Sequence, residues 1–162
     1  MGLFSRKKKS NSEEPKKQES SQLDEFTQQM SDTAEQCVAR FKDRHNLDFS
    51  VKSLELIDEL LEEASDFYPE MPDGQKKGMI QSFGSYIFEV ARRNYGGKYF
   101  WYDQGNQPIF VTGQPKFEIS LIAFDKVKGR LENGKEDNIP FFFAGYTERV
   151  ESAKEGDRAT IV

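Results

Sequence analysis

The chain has 162 residues, 13% of them aromatic, with 14 Phe against one Trp, which suits one folded domain plus tails and excludes wholesale disorder. Its net charge is −5, and residues 32–162 carry 17 Lys/Arg against 23 Asp/Glu, so a general nucleic-acid binder, which needs clustered cations for phosphates, is excluded. A lone Cys37 rules out an intrachain disulfide, and no apolar run reaches the roughly 18 residues of a membrane span, so a cytoplasmic protein is the expectation.

Residues 1–21 are Lys, Ser, Glu and Gln with one Pro, a composition expected to stay disordered as a basic, polar leader. Its basic residues are followed by no apolar stretch, so it does not read as a secretory signal. Leu3-Phe4 before Arg6-Lys7-Lys8-Lys9 would support weak membrane contact at most. A single domain is expected over residues 22–152, followed by a flexible tail over 153–162.

From Gln22 to Arg44, apolar residues at steps of three and four (Phe26, Met30, Ala34, Cys37, Phe41) predict an amphipathic helix. Ser50 is a natural N-cap for a second helix, with Phe49 and Leu54 at hydrophobic-staple spacing. Leu54, Ile57, Leu61 and Ala64 form its inner stripe, and Glu55, Asp58, Glu59, Glu62, Glu63 and Asp66 read as a solvated outer face able to steer a basic partner. Tyr68-Pro69 and Met71-Pro72 end it. Asp73 can cap a third helix, with Met79, Ile80, Phe83, Ile87 and Val90 inside. Gly84 and Ala91 leave room for a neighbouring helix, and Gly96 is the expected left-handed stop. Three short strands follow, over Lys98–Asp103, Pro108–Thr112 and Lys116–Ser120, close enough together for an antiparallel meander. Ile122, Phe124, Val127 and Leu131 suit a fourth helix, and Asp137 or Asn138 with Pro140 starts a fifth through Phe141-Phe142-Phe143 to Val150. The fold class is therefore α+β: N-terminal helices, a three-stranded antiparallel meander and two C-terminal helices.

The catalytic inventory is thin. The chain has one His and one Cys, and Cys37 and His45 stand eight apart on one predicted helix, about 12 Å at 1.5 Å per residue, too far for a nucleophile–base pair. Cys37 falls on the apolar stripe and reads as a core residue. The carboxylates show neither a metal-binding nor a calcium-loop spacing, so no metal and no cofactor are expected.

Two features point instead to binding. Tyr86, Glu89 and Arg93 share one flank of the third helix, where Glu89 and Arg93 have the favourable i, i+4 order. They form either a polar recognition spot or an ordinary helix pair with Tyr86 at its rim. In Lys98-Tyr99-Phe100-Trp101-Tyr102, Tyr99 and Trp101 point one way while Phe100 and Tyr102 point the other. Such a strand is either core on both sides or open to a partner, and Tyr99 and Trp101 are natural anchors.

The segment Gly84-x-Tyr86-x-x-Glu89-Val90-x-x-Arg93-x-x-Gly96-Gly97 with Trp101, and the later Phe124-x-x-Val127-x-x-Arg130-Leu131-Glu132-Asn133-Gly134-x-x-Asp137, resemble a pattern in small bacterial domains of uncharacterised function. The resemblance spans roughly residues 47–150, departs at Val51 and at the Phe triplet, and carries over no catalytic residue. It implies a helical half, a short antiparallel sheet and closing helices, with an immunity-protein-like architecture in some members. The expected function is a non-catalytic, cytoplasmic protein-binding domain, immunity- or antitoxin-like. The alternative is a small hydrolase or transferase with a carboxylate site.

Overall fold

A computed structural model describes residues 23–162. The leader expected over residues 1–21, with its weak membrane contact, lies outside the described residues. The described chain is α+β, with five α-helices and one four-stranded mixed sheet. None of the described helices is long and apolar enough to cross a membrane.

Helix α1 (Glu25–Phe41) begins where Asp24 accepts from the Thr27 N–H at 2.8 Å and ends before His45, which follows the turn over 42–44 and donates its N–H to the Phe41 carbonyl at 2.9 Å. Its stripe of Met30, Ala34 and Cys37 is buried. Ser50 caps as its hydroxyl predicts, accepting from Ser53 N–H at 3.1 Å, but it opens a 3-10 turn (Val51–Ser53) that runs into α2 (Leu54–Ser65). Asp73 is the first residue of α3 (Asp73–Tyr95) rather than its cap; Pro72 stands at the cap position.

Helix α3 is the centre of the domain. Its N-terminal half is amphipathic, but the nine residues Phe83–Ala91 are all buried. A helix enclosed on every side no longer needs a polar face. Gly84 makes one of these contacts possible: a Cβ there would strike the Phe124 ring of α4 (Phe124–Asn133), which lies directly on the glycine. The helix stops at Gly96, with φ 75° and ψ 171°. The positive φ was expected, but this is the extended mirror region, open essentially to glycine alone, rather than the left-handed helical one.

Strands β1 (Lys98–Tyr102), β2 (Gln107–Thr112) and β3 (Glu118–Leu121) form the expected antiparallel meander. The sheet does not end there. Within the expected flexible tail, Arg158–Ile161 forms β4, paired in parallel with β3. The sheet is therefore mixed and four-stranded, in the order β1-β2-β3-β4. A parallel neighbour requires a crossover, which α4 and α5 (Ile139–Ser152) provide. Ala159 and Ile161 then stand beside Ile119 and Leu121 and complete the inner row. The tail hid this strand because four residues alternating Arg, Ala, Thr and Ile carry too little apolar signal between charged neighbours.

Register puts Tyr99, Trp101, Pro108, Phe110, Ile119 and Leu121 on one face. Helices α1, α3 and α5 meet that face: Phe26 packs edge-on to Tyr99, Tyr99 bonds Glu89, and Thr112 shares a 2.6 Å hydrogen bond with Tyr146. Phe100 and Tyr102 stand on the opposite face, where Phe100 is 42% exposed. Of the Phe triplet, Phe142 and Phe143 are core while Phe141 is 82% exposed, the outcome that three consecutive helical positions require.

Candidate functional site

The five residues singled out in the sequence separate into two places. Tyr86 does not sit at a rim; it is fully buried. Its hydroxyl accepts from the Phe49 N–H at 3.0 Å and shares a 2.6 Å bond with Ser53. Its ring stacks on Phe49 with centroids 4.8 Å apart, and the Arg93 guanidinium lies 3.7 Å from the Phe49 centroid. Phe49 has φ 60°, a rare conformation for a bulky residue, and Asn94 Nδ2 also donates to its carbonyl at 2.8 Å. Tyr86 and Arg93 thus hold the entrance to α2 against α3.

Glu89 is also fully buried. Arg92 Nε and Nη2 donate to its two oxygens at 2.7 Å each, Arg93 Nε donates at 3.3 Å, and Tyr99 Oη donates at 2.9 Å. Burial alone would raise its pKa, but the Arg92 and Tyr99 hydrogen bonds and the two guanidinium charges outweigh it and hold the carboxyl below its ordinary value. The same burial, with the Glu89 charge beside it, pushes the Tyr99 hydroxyl well above its ordinary value. Tyr99 is 9% exposed and belongs to the core. Glu89 and Tyr99 are thus enclosed, while Arg92 and Arg93 remain partly exposed and Arg93 also pairs with Glu35 at 3.0 Å.

Trp101 lines an open cavity. It is 52% exposed and packs edge-on against Phe26. It overhangs a groove of about 730 Å³, within the size range of ligand pockets. Helix α1 contributes Phe26, Gln29, Met30 and Thr33, and α3 contributes Lys76, Lys77, Ile80, Gln81 and Ser85. The β1–β2 hairpin adds Asn106 and Pro108, α4 adds Phe124, Lys128 and Glu132, and Tyr68 closes one end. The lining therefore mixes aromatic and aliphatic side chains with neutral polar groups, and its charged members are Lys76, Lys77, Lys128 and Glu132. No α2 residue lines it, so the acidic face expected to steer a basic partner does not border this cavity.

That acidic face is also less free than its spacing implies. Asp58 accepts from Arg130 Nε and Nη2 at 2.9 and 3.1 Å and from the Ile139 N–H at 2.9 Å, and Glu62 pairs with Arg130 at 2.6 Å. Arg130, almost wholly buried, ties α2, α4 and the start of α5 together. Sequence spacing hides this knot because Asp58 and Arg130 are 72 residues apart.

The groove was missed for a related reason. Its walls come from several elements far apart in the chain, each of which shows only its own period. The available signal was Lys76-Lys77 interrupting the start of an apolar helix, and Lys128 between Val127 and Leu131. Among the described residues, no group of three His, Cys, Asp or Glu is placed to hold a metal. Cys37 is buried, which raises its thiol pKa, and His45 is half-buried past the end of α1.

The chain matches no protein-family model, no curated protein and no solved structure.

Proposed function

We propose that this chain is a protein-binding domain without a catalytic centre, immunity- or antitoxin-like in action, that holds its partner in the groove beside Trp101. The observation carrying this reading is the half-exposed Trp101 at the lip of a partly apolar groove. A rigid aromatic at such a lip buries much area for little entropic loss. Gln29, Thr33, Gln81 and Asn106 on the lining supply hydrogen-bonding groups for a partner's backbone. The immunity-like aspect draws on the resemblance of the Gly84–Gly97 segment and on the helices-sheet-helices order.

The hydrolase or transferase alternative has less support. Acid–base chemistry with carboxylates needs a pair held near one reacting centre. Glu89 and Asp58 are taken up by arginines, and Glu132 is the carboxylate on the groove lining.

The test is affinity capture from the native host, comparing wild type with Trp101→Ala after circular dichroism confirms folding. Tyr99 is left intact, because its buried bond to Glu89 would confound the result. Loss of one specific protein from the folded variant is expected. Equal recovery of every partner would overturn the reading.

A further inference from the structure

We infer that the groove takes an acidic segment of its protein partner, with an apolar side chain seated beside Trp101 and carboxylates against Lys76, Lys77 and Lys128. This rests on the protein-binding reading above and adds the chemistry of the partner.

The argument is charge complementarity over a preformed, partly apolar lining. Three lysines line the groove against the single carboxylate of Glu132. Residues 32–162 carry six more acids than bases, so a cationic cluster here runs against the composition of the domain. Lys77 and Lys128 are exposed and make no hydrogen bond or ion pair among the described residues. Among the other described cations, Arg92 and Arg93 pair with Glu89, Lys126 with Asp137 and Arg130 with Asp58. Lys76 is held in place, its ammonium 5.0 Å from the Tyr68 centroid and donating to the Pro69 carbonyl at 3.3 Å. The lysines sit on two helices, α3 and α4, so their charges reach the groove from two walls. Phe26, Met30, Ile80 and Phe124 offer apolar contact between them. A nucleic acid would also meet lysines and aromatics. However, a long polyanion would be repelled by the acidic remainder of the domain, whereas a short acidic segment with an apolar anchor meets only the groove.

Trp101 is the only tryptophan in the chain, so its emission reports occupancy of the groove without labelling. A phage library of random Trp-free 12-residue peptides is panned on the full-length protein. Enriched peptides are then titrated while Trp101 emission is followed. Asp/Glu-rich peptides carrying Phe, Leu or Met are expected, with a blue-shifted emission and an affinity that falls as salt rises. Lys77→Glu with Lys128→Glu, both surface changes checked by circular dichroism, should weaken these peptides by about tenfold or more. Neutral or basic winners, or acidic peptides indifferent to the double reversal, would overturn the acidic assignment while leaving a protein-binding groove. If no enriched peptide moves the emission, both readings fall. Oligothymidylate shifting the emission more tightly than any peptide would replace the peptide with a single-stranded nucleic acid.

Discussion

Glu89 is a buried carboxylate on α3 that accepts hydrogen bonds from Arg92, Arg93 and Tyr99. The Glu89–Arg93 pair is legible from i, i+4 spacing, and it forms at 3.3 Å. What spacing does not show is that Arg92 makes the shorter bonds and that Tyr99, from the next element, closes the carboxylate off from water. An exposed helix pair contributes little to stability, whereas a buried carboxylate with four donated hydrogen bonds is costly to disturb. Glu89→Gln should therefore destabilise by about 3 kcal/mol near neutral pH, at the low end for a broken buried pair because Arg92 and Arg93 reach water. The pH dependence follows from the lowered pKa. A carboxyl whose folded pKa lies below its unfolded value stabilises fully above the unfolded value and loses that contribution as pH falls through the folded one. Urea titrations across the acidic range should show wild type losing stability as pH drops, and Glu89→Gln losing less of it. Equal slopes for the two proteins would remove Glu89 from the account. Arg130 and Asp58 teach the same point from the other side: no local pattern marks a pair 72 residues apart, and an apparently solvated acidic stripe contains an anchor.

At the scale of elements, the five helices and the meander were legible because each carries its own period and punctuation. Asn138 caps α5 through the Phe141 N–H at 2.9 Å, with Pro140 in the first turn, as the sequence indicates. Strand β4 was not legible, because its pairing is supplied by β3 and its own residues are half polar. The junction of α3 and β1 lies between these cases. Two glycines there do different things. At Gly97 a Cβ would strike the Val111 carbonyl, so that position is closed by packing. At Gly96 no atom other than those of its chain neighbours lies within 4 Å of where a Cβ would stand, so the cost of substitution comes from backbone conformation. Its φ of 75° with ψ 171° is held open by the Gly96 N–H bond to the Arg92 carbonyl at 2.9 Å and by Thr112 Oγ1 donating to the Gly96 carbonyl at 3.0 Å. Gly96→Val should cost about 1–3 kcal/mol. Gly96→Ala should show most of the same loss, since the strain is set by φ and ψ and not by crowding. Thermal unfolding of the two variants checks this. A neutral Gly96→Ala would mean that the turn relaxes to a conformation ordinary residues share.

At the scale of the whole molecule, the aromatic strand divides between core and surface. Tyr99 faces the helices beneath the sheet, Phe100 faces outward on the other side, and Trp101 lies on the helix side but beyond the tightest packing, where the groove opens. Alternation along the strand sets the two directions but not the depth at each position, which depends on how α1 and α4 pack beside it. The groove also sets two electrostatic scales against each other. The chain is net negative, so its distant field attracts cations, while Lys76, Lys77 and Lys128 line the same groove as the one tryptophan. Collisional quenching separates the two, because a quencher ion must enter the local field to reach the indole. Salt limits the range of that field to about 10 Å at 0.1 M, so the nearest charges dominate. Iodide should therefore quench Trp101 more efficiently than caesium, after each is normalised to free indole and compared with neutral acrylamide. The asymmetry should shrink as an inert salt is added and should reverse in the Lys77→Glu, Lys128→Glu variant. A preference for caesium in the wild type would mean that the net charge of the domain governs the groove, and would remove the electrostatic basis for an acidic partner. With the reversed variant folded and its preference inverted, the lysines would be established as the source of the local field.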